Sequence, residues 1–254
     1  MKLSYQIFGT GLPIVILHGL FGSADNWRSL AKKLATQAQV ITVDLRNHGR
    51  SPHSSQQTYA MMSNDLLQLL KRLDLKKVNI IGHSIGGKVA MDFSQRYPQW
   101  LAKLVVVDIA PRQYLDEHSA IFKALLALNL SLYSSRNQVD SVLKLVLPNK
   151  AVRQFLLMNL SLNSEQLSWR INLHALYNNY PQLLSAVCEN QCSLIPICFI
   201  RGGQSNYIRD EDEVLIKSCF PDAQFVTIEE AGHWVHADAP ELFLSTITEF
   251  FDYA

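Results

Sequence analysis

The chain has 254 residues, a formal net charge of +1, and 48% hydrophobic against 18% charged side chains. That length carries one α/β domain with a large buried core, and the balance of apolar and charged residues excludes a disordered chain. With Lys and Arg scattered rather than gathered in a stripe, no nucleic-acid partner is expected.

Met1 to Gly9 interrupts its apolar residues with Lys2, Ser4, Tyr5 and Gln6, unlike the apolar core of a secretion signal, and no later run reaches the length of a membrane span. A cytoplasmic location without a membrane span is the expectation. Leu3 to Phe8 reads as an antiparallel edge strand. Short apolar runs recur at Ile14–Leu17, Val40–Val43, Val78–Ile81, Leu104–Val107, Ile197–Ile200 and Phe225–Ile228. Between them the period lengthens to that of helices, over about Trp27–Ala35, Tyr59–Leu73, Ile85–Tyr97, Glu211–Cys219 and Pro240–Phe251. This alternation predicts the α/β class, a mostly parallel central sheet flanked by helices.

Residues from Pro111 to about Asn190 break the alternation. They hold amphipathic helical stretches such as Ile121–Leu128 and Val139–Leu147 and no convincing strand. We expect a helical cap over 111–190, inserted into a core domain made of 1–110 and 191–254. Its large side chains, among them Tyr114, Phe122, Phe155 and Tyr180, pack the cap on the core for the most part and line an apolar pocket with the remainder. Cys188, Cys192, Cys198 and Cys219 have neither CxxC spacing nor paired histidines, which predicts reduced thiols rather than a metal or redox site.

Strand Val78–Ile81 runs into Gly82-His83-Ser84-Ile85-Gly86 and then into a helix. A serine forced onto such a tight strand-to-helix turn is strained, and small neighbours remove the clashes. Ser84 is therefore the expected nucleophile, facing the ligand edge of the sheet. The free N–H groups and positive dipole end of the following helix point at any oxyanion formed there. The first core strand ends in His18-Gly19-Leu20-Phe21-Gly22-Ser23, a Gly-rich turn at the same edge. The backbone N–H groups of Leu20 and Ile85 are the expected oxyanion hole, with Phe21 as second choice for the former. His18, at the end of a buried strand, reads as a structural hydrogen-bonding residue.

The loop Ala231-Gly232-His233-Trp234 follows the last strand, and His233 is the expected base. His236 is its competitor, and His83 a weaker one. The acid is open between two positions. The turn after the strand at Ile197–Ile200 holds Asn206 but no carboxylate, with Asp210 and Asp212 further on at a helix start. Asp108 ends the run Leu104–Val107, on the strand beside the nucleophile strand, and is the preferred candidate.

Taken together these residues resemble the α/β-hydrolase superfamily over nearly the whole chain and, more narrowly, the YbfF-type bacterial esterases. The narrower resemblance rests on His18–Ser23, Asp44-Leu45-Arg46-Asn47-His48-Gly49-Arg50-Ser51, Gly82–Lys88, Val107-Asp108-Ile109-Ala110-Pro111, Trp169-Arg170-Ile171-Asn172 and Gly232-His233-Trp234-Val235-His236. It implies the α/β-hydrolase fold, a carboxylesterase or acyl thioesterase acting on small-molecule esters or thioesters including acyl-CoA types, and no metal or organic cofactor. It also favours Asp108 as the acid. Phe21, Arg46, Lys88, Trp169 and Trp234 are the expected substrate-binding residues, with Arg46, Lys88, Arg112 and Arg170 as positive charge near the pocket mouth. The alternatives are carbon–carbon bond cleavage or a lyase step on the same fold, and a noncatalytic ligand-binding protein on a hydrolase frame.

Overall fold

The computed structural model describes residues 1–163, 166–188 and 192–252. Its main sheet is built from β1 (Tyr5–Phe8), β2 (Pro13–Leu17), β3 (Gln39–Val43), β4 (Val78–His83), β5 (Leu101–Val107), β8 (Ile197–Gly202) and β9 (Gln224–Ile228). The order across it is β1-β3-β2-β4-β5-β8-β9. β1 pairs antiparallel with β3 at the edge, and the other neighbours are parallel. All strands but β1 therefore direct their carboxyl ends to the same side, where a ligand crevice forms.

Near-continuous apolar strands are what a sheet covered on both faces requires, because alternate side chains must be buried in opposite directions. Val15 and Leu17 of β2, Leu104 and Val106 of β5 and Phe199 of β8 belong to one core. Ile14, Ile16, Val105, Val107, Cys198 and Ile200, one step out of phase, belong to the other. Helices α1 (Arg28–Leu34) and α10 (Pro240–Phe250) cover the second core with Leu30, Leu34, Phe243 and Ile247. Helices α2 (Tyr59–Arg72), α3 (Ile85–Arg96) and α9 (Asp212–Cys219) cover the first with Leu66, Leu70, Val89, Phe93 and Ile216.

Between β5 and β8 the chain forms α4 (Ser119–Leu126), α5 (Arg136–Leu143), α6 (Lys150–Leu157), α7 (Leu173–Asn178) and α8 (Tyr180–Leu184). It also forms a two-stranded antiparallel hairpin of β6 (Leu160–Asn163) and β7 (Gln166–Trp169), so the expectation of a strand-free interval is corrected. Strands of four residues offer too few alternations to be told from helix ends by period. Phe122, Leu143, Leu156 and Leu176 from this interval join the core on the α2/α3 face. Four capping side chains set the helix starts: Ser135, Asn149 and Asn172 accept from the third N–H of α5, α6 and α7, and Thr58 does so for α2. None of the described helices is long and apolar enough to cross a membrane. Cys188, Cys198 and Cys219 are free and buried, and Cys192 is free and exposed.

Candidate active site

Ser84 stands alone between the last residue of β4 and the first of α3, with φ +53° and ψ −123°. A serine gains nothing intrinsically from that conformation and holds it only because its surroundings over-determine it. Its N–H donates to Val107 O at 3.0 Å, and the N–H groups of Gly87 and Lys88 close on Ser84 O at 2.8 and 3.1 Å. A Cβ on Gly86 would lie 2.4 Å from Leu17 O, so a side chain there would push α3 off β2. Gly19 lets the turn after β2 approach from the other side: a Cβ on it would fall 2.9 Å from His83 Nδ1 and 3.1 Å from Ser84 Cβ. Ile85 opens α3, and the N–H of a first helical residue has no partner within its helix. Leu20, Ser84 and Ile85 share one cavity wall, and Phe21, at φ +59°, turns its carbonyl outward to accept from Asn159 Nδ2 at 2.7 Å.

Asp108 follows β5 with φ +49° and a fully buried side chain. A buried carboxylate needs donors, and three converge on it. Gly202 N–H reaches Oδ1 at 3.1 Å, and Oδ2 takes the Ser205 hydroxyl and His233 Nδ1, the latter at 2.7 Å. With its hydrogen on Nδ1, His233 keeps Nε2 as the acceptor. The Tyr207 ring stacks on the imidazole at 3.7 Å between centroids and 18° between planes. Asp210 does not join this group: it is exposed and paired with Arg201 at 2.6 Å. Asp212 is paired with Arg112 at 2.8 Å, and Asn206 lines an outer groove.

A cavity of about 210 Å³ brings Ser84 and His233 together with Gly19, Leu20, Phe21 and Trp234. Among the described residues no hydrogen bond joins Ser84 Oγ to His233. A second cavity of about 30 Å³ extends from Ser84 past Ile85 to Tyr59, Lys88 and Tyr180. Ser84, the imidazole held by Asp108 and the turn carrying Leu20 stand together at one sheet edge, an arrangement that can supply a nucleophile, a base and an anion cradle.

Residues 13–240 match the model of the alpha/beta hydrolase fold family. This chain belongs to the α/β-hydrolase family. It is similar to esterase YbfF of Escherichia coli, 36% identical over 94% of this chain and 92% of that one. It is also similar to the sn-1-specific diacylglycerol lipase ABHD11 of Danio rerio, 38% identical over 98% of this chain and 82% of that one. Among solved structures, a marine microorganism esterase superposes with a TM-score of 0.96 at 40% identity, covering 98% of this chain and 99% of that one.

Three other histidines of the hydrolase, His18, His83 and His236, are committed to contacts away from Ser84. His18 donates from Nδ1 to Gly19 O at 2.8 Å and accepts Leu45 N–H on Nε2 at 3.0 Å, and burial lowers its pKa to about 4. His83 bonds His233 O through Nε2 at 2.8 Å, and burial beside two other imidazoles holds its pKa well below the ordinary value. His236 stacks on Trp27 at 3.9 Å with Nδ1 buried and unpaired among the described residues, and burial lowers its pKa to about 3.

Of the expected substrate-binding residues, Phe21 and Trp234 line the larger cavity of the hydrolase. Lys88 borders the smaller one, but its ammonium is spent on the chain: Nζ donates to Arg112 O at 2.8 Å and Ser185 O at 2.6 Å. Burial, then the nearby Arg112 charge, lowers its pKa to about 7. Two expectations are corrected. Arg46 is buried in an ion pair with Asp65 at 2.7 Å and bonds Gln56 O and Met61 O, so its charge is neutralised inside the loop before α2. Trp169 pairs with Leu160 across the hairpin and borders neither cavity. Arg170 likewise faces Asp25 at 3.6 Å. Ser205, Tyr207 and His118, absent from the sequence expectations, stand within the site. The only signal for Ser205 was its position on the turn after β8.

Proposed function

We propose that this hydrolase cleaves carboxylic esters of small molecules through an acyl-enzyme on Ser84, with acyl thioesters, including acyl-CoA types, as a second substrate class. The observation that carries the reading is the 2.7 Å contact of Asp108 Oδ2 with His233 Nδ1, made by an imidazole that shares a cavity wall with Ser84. In that arrangement His233 Nε2 takes the Ser84 proton as Oγ attacks the carbonyl carbon, and Asp108 stabilises the imidazolium that forms. The N–H groups of Leu20 and Ile85 receive the oxyanion, a contribution of several kcal/mol when two donors converge. Collapse breaks the bond to the leaving group, which receives the proton from His233. Water, deprotonated by the same imidazole, then releases the acid and restores Ser84. No step calls for a metal or an organic cofactor.

Residues 111–190 act in this reading as a cap, since His118, Ile121, Phe155 and Tyr180 supply walls of the two cavities that meet at Ser84. The acyl group occupies one cavity and the leaving group the other. The esterase and lipase names of the similar proteins support the ester class. The test is a screen of short and long acyl esters beside acyl-CoA thioesters, with wild type and Ser84→Ala. Turnover by wild type that vanishes in Ser84→Ala supports the reading, and equal turnover by both proteins overturns it.

A further inference from the structure

Four residues, Leu20, Ser84, His118 and Tyr207, line both cavities and so mark the place where they meet. Ser84 and Leu20 already have tasks there, and the Tyr207 ring covers His233. His118 has none. It precedes α4, and its ring packs edge-on to Tyr180 and against Phe21.

The hydrogen positions on this ring follow from its partner. The Tyr180 hydroxyl oxygen accepts the backbone N–H of His118 at 3.1 Å. Among the described residues its own hydrogen has one acceptor within reach, His118 Nδ1 at 2.9 Å. The hydrogen of a neutral imidazole is therefore on Nε2, and burial, which lowers the pKa of His118 to about 4, keeps it neutral through the working range. Nε2 has no hydrogen-bond partner among the described residues, yet it is not one of the sealed, unpaired polar atoms. Because His118 lines both cavities beside Ser84, Nε2–H is the donor this ring offers at their junction.

We infer that His118 Nε2–H donates to the alkoxy oxygen of the scissile ester, making His118 a catalytic residue that favours oxygen over sulfur leaving groups; this rests on the serine esterase reading above. With the carbonyl oxygen on the Leu20 and Ile85 amides, the acceptor left at the junction of the acyl and leaving-group cavities is the alkoxy oxygen. Acylation forms the Ser84 Oγ–C bond and breaks the C–O bond. The Ser84 proton passes through His233 to the departing oxygen, while His118 keeps its own hydrogen and stabilises the charge that grows there. Thioester sulfur is a weak acceptor and gains little from the same donor.

The test compares kcat/KM for an oxygen ester and a thioester of the same acyl group in wild type, His118→Phe and Tyr180→Phe. Phe keeps the ring and removes the donor. The ester-to-thioester ratio, taken on one sample, is independent of how much of the variant is folded. We expect His118→Phe to lower ester kcat/KM roughly tenfold and thioester kcat/KM less than about twofold. Tyr180→Phe, which frees the tautomer, should move the ratio in the same direction by less. An unchanged ratio in His118→Phe, with wild type active on the ester and Ser84→Ala inactive, overturns this inference alone. A wild-type protein inert to both substrates overturns the esterase reading and this inference with it.

Discussion

The Ser205 hydroxyl donates to Asp108 Oδ2, the same oxygen that lies 2.7 Å from His233 Nδ1. The two residues belong to neighbouring strand ends, Ser205 to the turn after β8 and Asp108 to the end of β5. That turn holds no carboxylate, but its Gly202 N–H and Ser205 O–H satisfy the one supplied from β5. Asp108→Asn is expected to lower kcat by about 10³ to 10⁴, since an amide neither fixes the tautomer nor stabilises the imidazolium. Ser205→Ala should cost roughly tenfold by loosening the carboxylate. Asp210→Asn should leave kcat unchanged. Steady-state kinetics on the three variants checks this, and a large loss in Asp210→Asn with an active Asp108→Asn would reassign the acid.

Lys88 ties the start and the end of the 111–190 segment to α3, through Arg112 O and Ser185 O. Lys88→Met preserves the stem and leaves two carbonyls without their donor, at a cost of about 1–3 kcal/mol for each such group. Urea unfolding should show an unfolding free energy reduced by a total of a few kcal/mol, with a correspondingly lower midpoint. A variant as stable as wild type would mean that the ammonium contributes nothing to docking the segment.

Acid should unfold the protein steeply. His18, His48 and His236 are buried, with pKa values lowered by that burial to about 4, 3 and 3 from an ordinary 6.5. Below about pH 6.5 the unfolded chain takes up protons that the folded chain refuses. The stability present above pH 6.5 is therefore lost as pH falls toward 4 and 3. His236→Phe keeps the stacking on Trp27, removes an unpaired buried nitrogen, and should move the acid midpoint down. The slope of stability against pH should fall by about 1.4 kcal/mol per unit. Turnover should stay within about twofold of wild type. Loss of turnover in a folded His236→Phe would restore this residue as a rival to His233.

The strand ends and the turns that follow them were legible in the sequence because backbone strain selects few residue types. Gly82 and Gly86 around Ser84 report close approach of backbones, and Gly19 close approach to the His83 and Ser84 side chains, so an added Cβ would collide at each. The long apolar strands were legible for the same kind of reason, since both faces of the sheet are covered. Arg46 was misread because a loop residue gives no sign of its partner: Asp65 lies on the next helix, within reach only after folding. The β6/β7 hairpin was hidden by its length. Ser205 and His118 carry no pattern of their own, and only their hydrogen-bond partners, Asp108 and Tyr180, distinguish them from ordinary loop residues.

Reaction with a fluorophosphonate, followed by intact mass and peptide mapping, tests the nucleophile most directly. One label per chain on Ser84, with parallel loss of ester turnover and no labelling of Ser84→Ala, is the expected result. A label on another residue, or full turnover after Ser84 is labelled, would contradict the assignment of Ser84 as the attacking group.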